Sequence, residues 1–164
     1  MERINKNTGQ QVTQITESAF QKISEIENIM PSIKDFSTLN QSQVEAIKEN
    51  VDLMYEKICE SISILNNLHG IGYATSTAIL SAVCPLVPFM SDQVIRECEP
   101  PLIKNLKYND KVFKKVFYKC FDQYLDLVQK DASGGWTCQK VQESVVIFIL
   151  NSGLLPFVLK KEMQ

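Results

Sequence analysis

Apolar residues recur at steps of three and four along most of this chain, the period of an α-helix with one buried face. The first run predicts a helix from about Gln10 to Met30, ended by Pro31. A second run predicts a helix to Leu65 whose outer face is mainly acidic. The apolar positions are Val12, Ile15, Ala19, Phe20, Ile23, Ile26 and Ile29 in the first run, and Val44, Ile47, Val51, Met54, Ile58, Ile62 and Leu65 in the second.

Capping residues, prolines and glycines indicate where the other helices begin and end. The predicted boundaries are Ser37 or Thr38 before the second helix, Pro85 and Pro88 after a third, Ser91 or Asp92 to Cys98 for a fourth, Asn109 or Asp110 to Lys130 for a fifth, and Thr137 to Asn151 with Gly153 beyond it for a sixth. No segment has the alternation of a strand. We therefore predict an all-α fold with one helical domain over residues 10–153.

Short segments flank this predicted domain on both sides. Residues 1–9 are expected to form a flexible N-terminus, with no apolar stretch of the kind found in a secretory signal. Residues 154–164 form a C-terminal tail that begins with apolar residues, and it either packs back on the core or binds another subunit. No apolar run approaches the roughly 20 residues of a membrane-spanning helix, so we expect no membrane contact and a nuclear or cytosolic location.

A glycine motif lies between the second and third predicted helices, with the sequence Leu68-x-Gly70-Ile71-Gly72. Two glycines permit a tight turn and let the backbone approach a phosphate closely. The amides of such a turn and of the next helix point at an anion, helped by the helix dipole. Ile71 would pack inward. An ordinary turn between helices is the alternative, but Leu68 and the small residues after Gly72 favour a helix-hairpin-helix, with Gly70, Ile71, Gly72 and Thr75 as DNA contacts.

Residues 68–96 resemble the hairpin region of the base-excision DNA glycosylase superfamily, whose pattern is L-P-G-[VI]-G-x-x-T-A followed by a V-D-T-H-x-x-R-like segment. The chain is still more similar to a eukaryotic group of helix-hairpin-helix proteins related to those enzymes. The resemblance covers roughly residues 10–150 and is most specific over 68–92. Beyond the hairpin it rests on Val87-Pro88-Phe89-Met90-Ser91-Asp92, on Tyr108, and on Trp136-Thr137 and Val141-Gln142-Glu143. It implies a glycosylase-like fold that binds DNA.

Two departures from the glycosylase pattern argue against catalysis. Ala74 stands where bifunctional members carry the Schiff-base lysine, and Ser91 aligns with the aspartate that supports base excision. Asp92 follows one residue later. If Asp92 caps the fourth helix, backbone amides occupy its carboxylate and it is a poor general base. We therefore expect no enzymatic activity, and we retain as an alternative a monofunctional base-excision glycosylase that uses Asp92.

The overall charge excludes a protein that binds polyanions by bulk charge, because 17 basic residues face 19 acidic ones. A local basic segment is nevertheless present, where six lysines surround the single carboxylate of Asp110. Lys111, Lys114 and Lys115 fall near one helix face and are predicted to assist DNA binding, although a merely solvated face or a protein-binding face is the alternative. The six lysines are Lys104, Lys107, Lys111, Lys114, Lys115 and Lys119.

The composition, rich in Asn, Gln, Lys and Ile, is similar to that of proteins from AT-rich genomes such as those of ciliates. In composition, helical character and size, the chain resembles small accessory subunits of the ciliate DNA adenine methyltransferase complex. The resemblance implies protein partners in a DNA-modifying complex, with S-adenosylmethionine held by another subunit. Since the chain lacks a glycine-rich loop after a strand and a D-P-P-W-like motif, we expect no cofactor here. A protein–protein interaction module is the further alternative.

Five cysteines and one histidine complete the candidate chemistry. No two cysteines have the C-x2-C spacing of a zinc or iron–sulfur site, so buried or half-buried helical thiols are predicted and no metal.

Overall fold

The computed structural model describes residues 7–29, 39–98, 106–130 and 135–143, and the regular structure in these ranges is entirely helical. The helices are α1 (Gly9–Ile29), α2 (Gln41–Leu65), α3 (Tyr73–Ser81), α4 (Asp92–Cys98) and α5 (Asp110–Lys130), and residues 138–143 are helical as well. The predicted all-α class is thus confirmed for the described part of the chain. The predicted helix end at Asn151 and Gly153, the tail 154–164 and Lys104 lie outside the described residues.

The apolar faces predicted for the first two helices form much of the core. Helix α1 packs along α2 and buries Ala19, Ile23 and Ile26. Helix α2 buries every predicted apolar position except Val51, which is half-buried. The start of α1 departs clearly from the predicted buried face, because Val12 is exposed. Two ion pairs also join the helices. Lys57 Nζ lies 2.9 Å from Glu25 Oε2, and Lys22 Nζ lies 3.5 Å from Glu60 Oε2.

Helix α5 supplies the largest fully buried side chains of the described core, which are those of Tyr124, Phe113, Phe117 and Phe121. The rings of Phe117 and Phe121 stack with their centres 5.3 Å apart. Tyr55 of α2 continues this aromatic row, with its ring centre 5.2 Å from that of Phe117. Large buried rings dominate the energy of a small core, so α5 holds the bundle together and orients α2 beside it.

Polar side chains cap five of the described helices by accepting a hydrogen bond from the amide three residues further on. The caps are Thr8, Asn40, Ser91, Asn109 and Thr137, with N···O distances of 3.2, 2.9, 3.3, 3.1 and 3.1 Å. One prediction is thereby corrected, and one alternative is decided. The cap of α2 is Asn40 instead of Ser37 or Thr38, because the side chain of Gln43 returns a hydrogen bond to the Asn40 amide and completes a capping box. The cap of α4 is Ser91, so Asp92 is the first helical residue.

The segment after α3 is held in place by contacts that are distant in sequence. Residues 135–143 dock on it through Gln142, which is buried and forms two hydrogen bonds with the Phe89 backbone. The Cys138 amide donates to the Pro85 carbonyl at 3.0 Å. Helix α3 ends at Ser81, before the predicted limit at the prolines, and Val83 beyond it is half exposed. The link between α3 and α4 is therefore held mainly by Gln142, which lies on a different segment of the chain.

Within the described residues, no helix combines the length and the apolar character needed to cross a bilayer.

Candidate nucleic-acid interface

The connection between α2 and α3, residues 66–72, is called here the glycine turn. The Ile71 amide donates to the Leu68 carbonyl at 3.1 Å, and Gly70 has a φ of 84°. This combination is typical of a type II β-turn, whose third residue needs a positive φ. Leu68 is buried and Ile71 packs against the core, as predicted for the residue that holds the hairpin inward. Gly70 is therefore required by the fold itself.

Gly72 differs from Gly70, because nothing inside the described protein requires a glycine there. Its φ of −131° and ψ of −174° are extended values that any residue adopts, and an added Cβ would meet nothing within 4 Å. Gly72 is also the N-cap of α3, and no side chain caps this helix. The first amides of α3 are thus left to solvent or to a ligand. A Cβ at Gly72 would touch no atom of the described protein, but it would obstruct a ligand that approaches these amides.

Polar contacts behind the glycine turn join the two helices rigidly. The Ser76 hydroxyl, fully buried, donates to the Asn66 side-chain oxygen at 2.8 Å, and the Ser76 amide donates to the Gly72 carbonyl at 2.8 Å. Asn66 is itself the C-cap of α2. Thr75, one residue earlier, is exposed. Gly70, Gly72 and Thr75 therefore lie on the accessible side of the turn, while the side chain of Ile71 lies on the inner side.

The start of α5 flanks the start of α3. The ring centres of Tyr73 and Phe113 are 6.3 Å apart. Lys111 and Lys115 are exposed on this part of α5. Burial raises the pKa of Tyr73, and the nearby Asp110 carboxylate raises it further. Lys111 and Lys115 lie two positions to either side of Phe113, and therefore on the opposite face of α5 from the ring that contacts Tyr73. This contact does not direct the two lysines at the glycine turn.

Not all of the predicted lysines are directed at the same place. The Lys114 ammonium lies 5.7 Å from the ring centre of Tyr55 and 5.9 Å from that of Tyr118, a cation–π arrangement over α2. The Lys119 ammonium donates to the Glu97 carbonyl at 2.7 Å, at the C-terminal end of α4. Lys119 therefore serves the α4–α5 packing, and the Lys114 ammonium lies beside the rings of Tyr55 and Tyr118.

Asp92 is exposed, and its carboxylate accepts a hydrogen bond from the Tyr108 hydroxyl. Desolvation, followed by this bond, raises the pKa of Tyr108 to about 12, so the hydroxyl stays protonated at neutral pH and keeps donating. Of the two residues that the sequence offered as the cap of α4, Ser91 takes that position and Asp92 does not. The sequence did not indicate that Tyr108, 16 residues further along the chain, donates a hydrogen bond to the Asp92 carboxylate.

None of the five cysteines is in a disulfide, and their burial is as predicted: Cys84, Cys120 and Cys138 are buried, and Cys59 and Cys98 are half-buried. Contrary to the prediction, Cys84 is not in a helix. Desolvation raises the pKa of Cys84 and Cys138, which makes these thiols weak nucleophiles. Across the described ranges, no three His, Cys, Asp or Glu side chains are grouped so as to hold a metal ion.

Fold and site together define, for the described residues, an all-α protein that presents a glycine turn with an uncapped helix behind it. Compared with models of known protein families, with curated proteins and with solved structures, the chain matches none. The likeness of residues 68–96 to DNA glycosylases and their relatives accordingly stays a prediction from the sequence.

Proposed function

We propose that this chain is a non-catalytic, DNA-binding accessory subunit of a DNA-modifying complex, which contacts the DNA backbone through a helix-hairpin-helix and helps to form a DNA channel. The observation that carries the proposal is the open surface at Gly72, where uncapped helix amides adjoin a type II turn. Such amides, with the helix dipole behind them, bind phosphate oxygens. Backbone contacts of this kind position a protein on DNA without reading its sequence.

The absence of catalysis is part of the proposal and is supported by two positions. Ala74 offers no amine where the resembling glycosylases form a Schiff base. Asp92 lies one residue after the position of the glycosylase aspartate, and the Tyr108 hydroxyl donates to its Oδ1.

The accessory role follows from charge. The net charge is −2, and Lys111, Lys114 and Lys115 follow Asp110 on the same helix. Since affinity for DNA grows with the number of phosphates that cations neutralise, this chain alone should bind weakly and depend on basic partner subunits. Resemblance suggests DNA N6-adenine methylation as the reaction served, with the methyl donor bound by another subunit.

Direct binding of the purified full chain to two unrelated 30-base-pair duplexes, measured by fluorescence anisotropy across a salt series, tests the proposal. We expect weak and equal affinity for both duplexes. With about one to three phosphates neutralised, the slope of log K against log salt should be about −1 to −3. Co-purification of the tagged protein with a DNA-modifying enzyme at fixed stoichiometry would complete the assignment. A chain that binds neither duplex at low salt would instead be a protein–protein interaction module.

An assay of base release tests the catalytic alternative. Duplexes carrying uracil, an oxidised guanine or an alkylated adenine should show no release above background with the wild-type chain, and Asp92→Asn should behave identically. Tyr108→Phe is the matched control, because it frees the Asp92 carboxylate without removing it. Release by the wild type that disappears in Asp92→Asn and persists in Tyr108→Phe would establish a monofunctional glycosylase and overturn the non-catalytic assignment.

A further inference from the structure

One side chain from the beginning of the chain is bonded to the tip of the glycine turn. The Asn7 amide nitrogen donates to the His69 carbonyl at 3.0 Å, and the Asn7 side-chain oxygen accepts from the His69 amide at 2.9 Å. Both bonds reach a single residue that lies 62 positions further along the chain. Asn7 therefore pairs with the backbone of the turn as a second peptide group would.

The start of α1 holds Asn7 in this position. The Thr8 amide donates to the side-chain oxygen of Gln11 at 2.9 Å, and the Gln11 amide donates to the Thr8 hydroxyl at 3.2 Å. This reciprocal pair is a capping box, which fixes the backbone at a helix entrance. The paired amide of Asn7 is consequently presented from a well-defined helix end. Residues 7–9 thus differ from the flexible segment that the sequence predicted, because Gly9 begins α1 and both Asn7 and Thr8 are hydrogen-bonded.

The bond to the His69 carbonyl determines which way the turn faces. The peptide between His69 and Gly70 is the central peptide of the type II turn, and a type I turn would place that peptide the other way up. Gly70 accepts either sign of φ, so glycine alone does not choose between the two. In a trans peptide the carbonyl and the N–H point in opposite directions. With the carbonyl held toward Asn7, the Gly70 N–H points away from α1.

We propose that Asn7 is a positioning residue of the phosphate site, which holds the His69–Gly70 peptide so that the Gly70 N–H stays available to a DNA phosphate. The inference rests on the proposed function for the identity of the ligand. It makes the entrance of α1 a part of the interface, although no motif in the sequence points to this residue.

Two substitutions separate the two halves of the amide pair. Asn7→Ala removes both bonds, whereas Asn7→Asp retains the acceptor for the His69 N–H, loses the donor to the carbonyl and adds a negative charge. Asn50→Ala is the matched control, because the Asn50 side chain donates only to the Ala46 carbonyl of its own helix, at 2.8 Å. Asn50 lies 15 residues before the end of α2, or about 22 Å from the turn.

Three measurements are made on each full-length variant: the melting temperature, the nitrogen-15 and proton shifts and exchange rate of the Gly70 amide, and the affinity for a 30-base-pair duplex at low salt. For Asn7→Ala we expect a shifted and faster-exchanging Gly70 amide and about a fivefold loss of affinity, since a site that is no longer preorganised binds less tightly. Asn7→Asp should lose more, about tenfold, through repulsion of the phosphate. Asn50→Ala should match the wild type in the last two measurements.

The outcomes distinguish this inference from the proposed function. An Asn7→Ala protein with an unchanged Gly70 amide and unchanged affinity overturns the positioning role, while DNA binding by the wild type still supports the function. A wild-type chain that binds no duplex overturns the function instead. Titration with inorganic phosphate, followed at the Gly70 amide of the wild type and of Asn7→Ala, then decides the positioning role: equal or absent responses overturn it, and a response confined to the wild type supports it.

Discussion

Gly72→Asp is expected to lower the affinity for duplex DNA more than tenfold while the melting temperature stays the same or rises slightly. The backbone at Gly72 is extended, and a Cβ there meets nothing within 4 Å, so the substitution is sterically free within the described protein. Aspartate is among the best N-caps and is a few tenths of a kcal/mol better than glycine. Its carboxylate would accept hydrogen bonds from the first amides of α3, which are the donors proposed for a phosphate, and its charge would repel a phosphate.

Fluorescence anisotropy with a labelled duplex and a thermal melt provide the two readouts for Gly72→Asp. Gln41→Asp is the control, because it makes the same change of charge at the first residue of α2, and the 25-residue helix separates it from the turn by about 36 Å. Gly70→Val is less informative, since a β-branched residue at a φ of 84° strains the turn itself. A stable Gly72→Asp protein with wild-type affinity would remove the glycine turn from the proposed function.

Gln142→Leu is expected to lower the free energy of unfolding by about 1–2 kcal/mol, because it leaves the Phe89 amide without a partner. The Phe89 carbonyl loses one of two donors and keeps the Ser91 amide, at 2.9 Å. In the wild type, the Gln142 side-chain oxygen accepts from the Phe89 amide at 2.9 Å, and its nitrogen donates to the Phe89 carbonyl at 2.8 Å. Urea unfolding measures the change. Gln139→Leu is the control, because Gln139 is exposed on the same helical segment and bonds only to Glu143. A loss below about 0.5 kcal/mol for Gln142→Leu would mean that the two bonds do not hold the link.

Gln142→Glu adds a pH dependence with a definite sign. An ionised carboxylate at this buried position faces the Phe89 carbonyl and cannot donate to it, so burial and repulsion raise the pKa of the new side chain in the folded state. The protonated form can donate. The variant's deficit should therefore be smallest below the unfolded pKa of about 4.3 and grow as pH rises through the folded value. A deficit that is equal at pH 4 and pH 7 would contradict this account of the contact.

The periodic part of the structure could be predicted from the sequence because it depends on local spacing. Helix α5 spans the residues predicted for it, and α2 buries all but one of its predicted apolar positions. Asn109 and Thr137 cap the helices that they were predicted to cap. Helix α3 was predicted less well. It buries Ser76 and Thr77 together with Leu80, since these two hydroxyls find partners on neighbouring segments.

The candidate site was only partly predictable, and for a different reason. The motif at residues 68–72 was visible in the sequence, yet its two glycines looked equivalent there. Their dihedral angles separate them, because Gly70 needs a positive φ and Gly72 does not. The partner of Asp92 was also unpredicted, since Tyr108 reaches it across the tertiary fold.

The sequence by itself determined the helical class, the buried faces and the position of the glycine turn, because helix periodicity and glycine conformation are properties of neighbouring residues. The tertiary structure alone decided that Asn7 bonds to His69 and Gln142 to Phe89, across 62 and 53 residues. A buried or half-buried amide bonds whichever backbone groups packing brings to it, and that neighbour is set by how the helices assemble.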